Sequence, residues 1–281
     1  MSQQVISGGA HTAAGVSGNL GTRVALAASR GAVNFSLGLV ILAVLWGIGG
    51  SLIAANPKTA SFAGFGLIPT LKAFPELWSL GKLQNATYAS GYRLGSGMLI
   101  AVLIGVPIGI IMGRVKWFRD ISNSPFQFLR MISPLSWMPI SVLVFSSWDG
   151  SIVFLIAFAS VWPVMYQTAA GLAKVDPAWF KVARNLGAKP RQMLTQIILP
   201  AISFDIFTGI RLALGVAWVV LVPAELLGVT SGLGYAIKDA RETLSYDHLT
   251  AMVLTIGVFG YALDTICALL IKRFSWHRGD A

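Results

Sequence analysis

Phe35 to Ala55 is a run of 21 residues without a single charge. As a helix it would rise about 30 Å, the thickness of the hydrocarbon core of a bilayer. The segment is therefore read as a transmembrane helix, and the same pattern recurs along the chain. Leu94–Gly113 and Ser151–Ala173 are further uncharged runs of spanning length. A fifth span is expected from Ile197 to about Pro223, holding Asp205 and Arg211 and closing with Glu225. A sixth runs from about Leu249 to Ile271 with Asp264 near its end. Between the second and fourth, a span is expected from Ser124-Pro125 to about Trp148, with Arg130 inside it and Pro134 and Pro139 breaking it. Such breaks are tolerated in a membrane only where protein or water satisfies the freed backbone groups, so this span should face the interior. Pro107 predicts a kink in the second.

The expected fold class is thus all-α, a polytopic membrane protein with six transmembrane helices. The composition agrees: 55% of the 281 residues are hydrophobic and 11% charged, against about 25% charged in soluble domains. The net charge of +10 would suggest nucleic acid in a soluble chain. Here it belongs to topology, and no nucleic-acid partner is expected. With the N-terminus inside, 13 of the 21 Lys and Arg residues fall in inner segments, 5 in outer ones and 3 in or at spans, a positive-inside bias that puts both termini in the cytoplasm. The domain plan is a disordered or loosely held cytoplasmic tail over 1–34, a six-helix transmembrane domain over 35–273 and a cytoplasmic tail over 274–281. Residues 1–34 are rich in Ala, Ser and Gly and lack acids, as transit peptides do, but run straight into a full span, which favours a tail. The lone cysteine, Cys267, lies in an apolar run and offers neither a disulfide framework nor a metal site.

Between the fourth and fifth spans lies a segment too short to cross a membrane. Asp176 suits an N-cap, Pro177 the first helical position and Gly187 the residue past the end. Trp179, Val182, Ala183 and Leu186 recur at i, i+3, i+4 and i+7, while Lys181, Arg184 and Asn185 face elsewhere. A small amphipathic helix on the basic side of the membrane fits a partner's groove, and it fits the lipid surface as well. No phosphate-binding loop accompanies it: Gly81-Lys82 is followed by Leu83, and Glu76 stands where the loop needs its first glycine. The chain is not expected to be an enzyme. If it pumps, ATP and magnesium belong to a partner.

Lys181-Val182-Ala183, Gly187 and Ile197-x-Leu199-Pro200 resemble the E-A-A, G, I-x-L-P loop of ABC importer permeases. The spacing is intact; Lys181 replaces the usual Glu and Val182 the usual Ala. Ser133-Pro134-Leu135-Ser136-Trp137-Met138-Pro139-Ile140 resembles the P-P-L-A-W-L-P-L segment of the nitrate/taurine/sulfonate branch of that family. Gly209-Ile210-Arg211, Gly215-Val216-Ala217-Trp218, Ala224-Glu225-Leu226-Leu227-Gly228 and Ser231-Gly232-Leu233-Gly234 resemble further motifs of the same branch. The resemblance implies a type I importer permease fold in a bacterial inner membrane. It further implies a second permease copy, two cytoplasmic ATPase subunits that bind the nucleotide, and an extracytoplasmic solute-binding protein. The cargo class is a small anion: nitrate, nitrite, bicarbonate, cyanate, taurine or another sulfonate. On this reading Trp179, Lys181, Val182, Ala183, Arg184, Leu186 and Gly187 couple to the ATPase.

Charges inside the spans each cost several kcal/mol if they face lipid. Arg130 and Arg211 match planar oxyanions with paired donors, and a structural bridge from one of them to Asp205 is the alternative. Glu225 suits a gate or a structural role. Ser133, Ser136 and Ser141 can offer hydroxyl donors to a path beside Trp137, or satisfy helix carbonyls instead. Trp218 joins the path-facing candidates, with packing as its simpler role. A stand-alone channel or ion-coupled transporter using these charges directly is the rival reading from another class.

Overall fold

The computed structural model describes residues 17–274, with side chains described over 33–272. The expectations for residues 1–16 and 275–281 lie outside that range. Among the described residues every element is helical, and the chain divides into two units at Pro69 and Thr70.

In the first unit, α1 spans Ser17–Ala55. It begins inside the stretch expected to be a loose tail, and its apolar part is Val33–Ala55. No proline or charge interrupts that part, and most of its large side chains are exposed, as a lipid solvent permits. Beyond its end the chain makes a 3-10 turn, Ala60–Phe65, that doubles back on the helix. The Trp46 indole donates to the Phe65 carbonyl at 2.8 Å and the Thr59 hydroxyl to the Ile53 carbonyl at 2.8 Å. Gly50 permits the approach, because a Cβ there would run into the backbone of Gly66.

The second unit holds α2 (Leu67–Ser79) from Thr70 onward, α3 (Lys82–Arg114), α4 (Lys116–Met131), α5 (Met138–Val144), α6 (Trp148–Ala173), α7 (Pro177–Asn185), α8 (Pro190–Gln192), α9 (Leu199–Gly228), α10 (Leu233–Glu242) and α11 (Tyr246–Phe274). Its core lies between α3, α6 and α9, where Leu94, Met98, Ile152, Leu155, Ile156, Ala213 and Leu221 are buried together. Helix α6 starts on a cap in which the Ser147 hydroxyl accepts from the Gly150 amide. Without hydrophobic drive between helices in lipid, close backbone approach has to hold them. Glycines on α3 supply it. A Cβ at Gly97, Gly105, Gly109 or Gly113 would press on Ile156, Val164, the Met165 carbonyl and Thr168, or Leu172 of α6. Helix α3 passes through Pro107 without ending.

The third expected span departs from a continuous helix. Helix α4 starts at Lys116 and ends at Met131; a 3-10 turn, Pro134–Trp137, follows, and then the seven residues of α5. Pro134 and Pro139 lack the N–H that a continuous helix would use. Among the described residues five helices are long and apolar enough to cross a membrane, and this broken segment, apolar over Pro134–Val144, accompanies them. Helix α4 is amphipathic, with Phe118, Phe126 and Leu129 laid on Met112, Trp162 and Met165 while Lys116, Arg119 and Asp120 are exposed.

Gly109→Ala should lower stability by about 1–3 kcal/mol through overpacking against α6, whereas Gly95→Ala, where nothing lies within 4 Å of the new Cβ, should be neutral or slightly stabilising. Thermal unfolding of the two variants in detergent measures the difference.

Candidate functional site

Helix α7 is fixed at both ends by its own residues. The Asp176 carboxylate accepts from the Ala178 amide at 2.8 Å, Pro177 holds the first helical position, and Gly187 takes φ +77°. The Gly187 and Ala188 amides then close on the carbonyls of Arg184 and Ala183. Phe180 and Ala183 point into the protein, against Leu172, Met193, Ile198 and Ile202. The Arg114 guanidinium, at the end of α3, lies 5.3 Å from the Phe180 ring centre. Trp179, Val182 and Leu186 point away from the chain, 59%, 57% and 82% exposed. The expected apolar face is therefore divided: Ala183 belongs to the inner side, with Phe180, which sequence reasoning passed over although it stands three residues before Ala183. Lys181 and Arg184 are exposed. After α8 the backbone widens into a π turn, Met193–Ile198, with the Leu199 amide on the Leu194 carbonyl. Pro200 explains it, since its ring removes the donor that the Gln196 carbonyl would otherwise meet.

At the opposite ends of α3, α6 and α9 stands a buried ionic cluster. Arg93, 3% exposed, donates from Nε to Asp149 at 2.7 Å, from Nη1 to Glu225 at 2.6 Å and to the Ser231 carbonyl at 2.9 Å, and from Nη2 to the Ser231 hydroxyl at 2.6 Å. Glu225, with no exposed surface, also accepts from the Ser90 hydroxyl at 2.8 Å and the Gly234 amide at 2.9 Å. Ser90 in turn accepts from the Leu233 amide at 2.8 Å. The Ser-Gly-Leu-Gly run thus meets Arg93 with the Ser231 hydroxyl and carbonyl and Glu225 with the Gly234 amide, while the Leu233 amide holds Ser90. Gly232 sits at φ +106°, where a Cβ would collide with Glu225 and Arg93. Glu225 is thus enclosed and fully bonded, the surroundings a structural carboxylate needs. Arg93 was the overlooked partner; its signal was being the one charge between Leu83 and Gly113.

The remaining embedded charges pair differently from the expected bridge. Asp205 is met by Lys174 at 2.8 Å, across from Gly171, where a side chain would strike Asp205. Arg211 pairs with Asp264 of α11 through two bonds of 2.7 Å, Nε to Oδ1 and Nη2 to Oδ2. The expected bridge from Arg130 or Arg211 to Asp205 is thus replaced by Lys174, at the end of α6. Arg130 is exposed and lies over the Tyr166 ring at 5.6 Å. Near the proline breaks, Ser133 and Ser136 are exposed, while the Ser141 hydroxyl is buried and donates to the Met138 carbonyl. Trp137 packs on Phe158 at 5.2 Å, its indole nitrogen buried without a hydrogen-bond partner. Trp218 stacks on Phe259 at 5.6 Å and fills the space left open by Gly260.

A family model described as the binding-protein-dependent transport system inner membrane component matches residues 105–276. The bicarbonate transport system permease protein CmpB of Synechococcus elongatus is 35% identical over 186 residues, 66% of this chain and 66% of that protein. The taurine transport system permease protein TauC of Escherichia coli is 35% identical over 190 residues, 67% of this chain and 69% of that protein. A structure of the MetNI methionine ABC transporter in an inward-facing conformation aligns with a TM-score of 0.56 and 14% identity, covering 71% of this chain and 98% of that one. At that identity the likeness concerns the fold alone.

Arg93→Met leaves Glu225 buried beside no cation and should cost about 3–5 kcal/mol of stability, whereas Arg93→Met combined with Glu225→Leu should cost clearly less than the sum of the two single changes. A double-mutant cycle on unfolding in detergent reads the coupling.

Proposed function

Because this chain belongs to the family of binding-protein-dependent transport inner membrane components, we propose that it is the membrane subunit of an ATP-driven importer for a small oxyanion. Helix α7 is the element on which a cytoplasmic ATPase acts. One observation carries the reading: Trp179, Val182 and Leu186 stand exposed on a helix whose other side is locked to the core by Phe180 and Ala183. A partner that covers these side chains gains apolar burial on a mount that cannot swivel freely. Helix α7 and its flanks carry Lys174, Lys181, Arg184, Lys189 and Arg191, a basic cluster that supports a cytoplasmic position for this end and for both termini.

The rest of the assembly follows from the same role. A second copy of this permease completes the path, two ATPase subunits bind ATP and magnesium, and a solute-binding protein delivers cargo to the far side. The multi-pass chain sits in a bacterial inner membrane, with the exposed apolar faces of its helices against lipid. An anionic cargo is supported by the arginines at Arg130 and Arg211 and by the relatives named for bicarbonate and taurine, which share small oxyanion groups. Driven together by ATP, the ATPases would press on α7 and rock the spans between outward and inward access.

Trp179→Asp combined with Val182→Asp should reduce the ATPase retained on the purified permease by about 30-fold or more, the loss expected when a central aromatic anchor is removed. The melting temperature should hold, since both side chains are exposed. Undiminished ATPase on a folded double variant would overturn the docking role. Lys181→Ala, which alters only a rim charge, should change retention by less than about threefold.

A further inference from the structure

The pair Arg211–Asp264 differs from the other embedded ion pairs in being open. Its side chains are 44% and 49% exposed, whereas Arg93 and Glu225 are sealed and Asp205 is buried. It also lies deep in the spans. Along α9, Arg211 stands about 9 Å beyond Asp205 and about 21 Å short of Glu225 at 1.5 Å per residue. Two charges at that depth do not face lipid, so this face meets water or other protein.

The helices that carry the pair meet along two stripes. Arg211, Leu214 and Trp218 recur at i, i+3 and i+7 on α9; Gly260, Asp264 and Cys267 recur at i, i+4 and i+7 on α11. Trp218 seats against Gly260, and between this contact and the ion pair lies a cavity of about 100 Å³ lined by Leu214, Gly215, Trp218, Gly260, Leu263 and Asp264. Apart from the Asp264 carboxylate its lining is apolar, so the charge that could hold an anion beside it is the neighbouring Arg211 guanidinium. Helix α11 is free to yield here, because no residue described beyond Met252 on it is buried.

We propose that Asp264 is a built-in competitor for the cargo: its carboxylate occupies the Nε–Nη2 fork of Arg211, and a carbonate, carboxylate or sulfonate group takes that fork when α9 and α11 part. The argument rests on the oxyanion-importer reading and adds to it a residue that reading leaves out. Guanidinium presents five N–H donors in a rigid fork, and Asp264 holds the Nε–Nη2 edge with both bonds at 2.7 Å and neutralises the charge that an oxyanion would meet. Arg211 is then charged and shielded until it is needed, which prevents a permanently free cation from trapping anions midway. Asp264 acts through Arg211 and is a positioning residue for the path.

The chain's one cysteine supplies the probe, since Cys267 follows Asp264 by three residues on the same helix face. The full chain, with the chains that co-purify with it, is placed in lipid nanodiscs and labelled at Cys267 with methanethiosulfonates bearing a sulfonate, a quaternary ammonium or a small neutral group. Freeing the fork by Asp264→Asn should accelerate the sulfonate reagent by roughly tenfold, the effect of releasing a charge-assisted contact, while leaving the neutral reagent unchanged. Added bicarbonate or taurine should slow that labelling, and Arg211→Gln should abolish the preference for the anionic reagent. The exchange Arg211→Asp with Asp264→Arg restores the pair in reverse and should return the rate to near the wild-type value, which guards against a folding defect in the single variant. Equal sulfonate labelling in wild type and Asp264→Asn overturns the proposal. So does a face that the neutral reagent reaches but neither charged reagent does in any variant. These outcomes are separate from the importer reading, which stands or falls on ATPase retention by α7.

Discussion

Hydrocarbon offers no hydrogen bonds, so every charge carried into it has to bring its counter-charge along. Three pairs obey that constraint here to different degrees. Arg93–Glu225 is wholly enclosed and saturated with donors and acceptors. Lys174–Asp205 buries its carboxylate and leaves its ammonium half in the open, at the end where α7 begins. Arg211–Asp264 is open on both sides. A structural fastening gains from enclosure, because each buried partner left alone would cost several kcal/mol. A group that has to exchange partners cannot be enclosed. On the proposal made for Arg211 and Asp264, this gradation in enclosure is what would distinguish a fastening from a pair that exchanges partners.

The fastenings also determine how a displacement of α7 would travel. Phe180 and Ala183 lie against Leu172 near the end of α6 and Ile202 at the start of α9, so α7 cannot shift without moving both. Glycine contacts couple α6 to α3 along its length, and the Arg93 cluster binds α3, α6, α9 and α10 at the other end. Packed elements of this kind move as bodies instead of deforming. Helix α11 is attached chiefly through α9 and α10, so the α9–α11 seam is where such a body motion would be taken up. That seam carries Arg211, Asp264 and Trp218.

Features written over a few consecutive residues were legible in the sequence. The α7 boundaries follow from Asp176, Pro177 and Gly187 because capping is a local transaction, and the third span breaks at Pro134 and Pro139 because a missing amide is a property of the residue itself. The partners of embedded charges were not legible. Arg93 finds Glu225 across 132 positions and Arg211 finds Asp264 across 53, and nothing local separates these pairings from a bridge to Asp205. The division of α7 into an inner side and an outer side escaped for a related reason. Val182, Trp179, Ala183 and Phe180 form one continuous apolar arc of about 160° at 3.6 residues per turn, so periodicity alone does not say which part of it the fold claims for itself. Residues 17–34 joined a helix where composition suggested a tail, since Ala-rich sequence carries helix propensity as well as low complexity.

The same division of α7 accounts for the departure at Lys181. A charge on the rim of an interface steers encounter and is screened by salt, whereas affinity concentrates in side chains that are desolvated on docking. Lys181 stands among exposed, solvated groups, with Arg184 turned back toward the Phe180 carbonyl at 3.2 Å. Trp179, Val182 and Leu186 are the side chains with apolar area to lose to a partner. Reversing the sign at position 181 changes which surface approaches fastest and leaves that apolar area intact. On the docking proposal the loop can therefore keep its spacing while this letter of its motif varies, because the spacing would position the helix and the exposed apolar side chains would supply the grip.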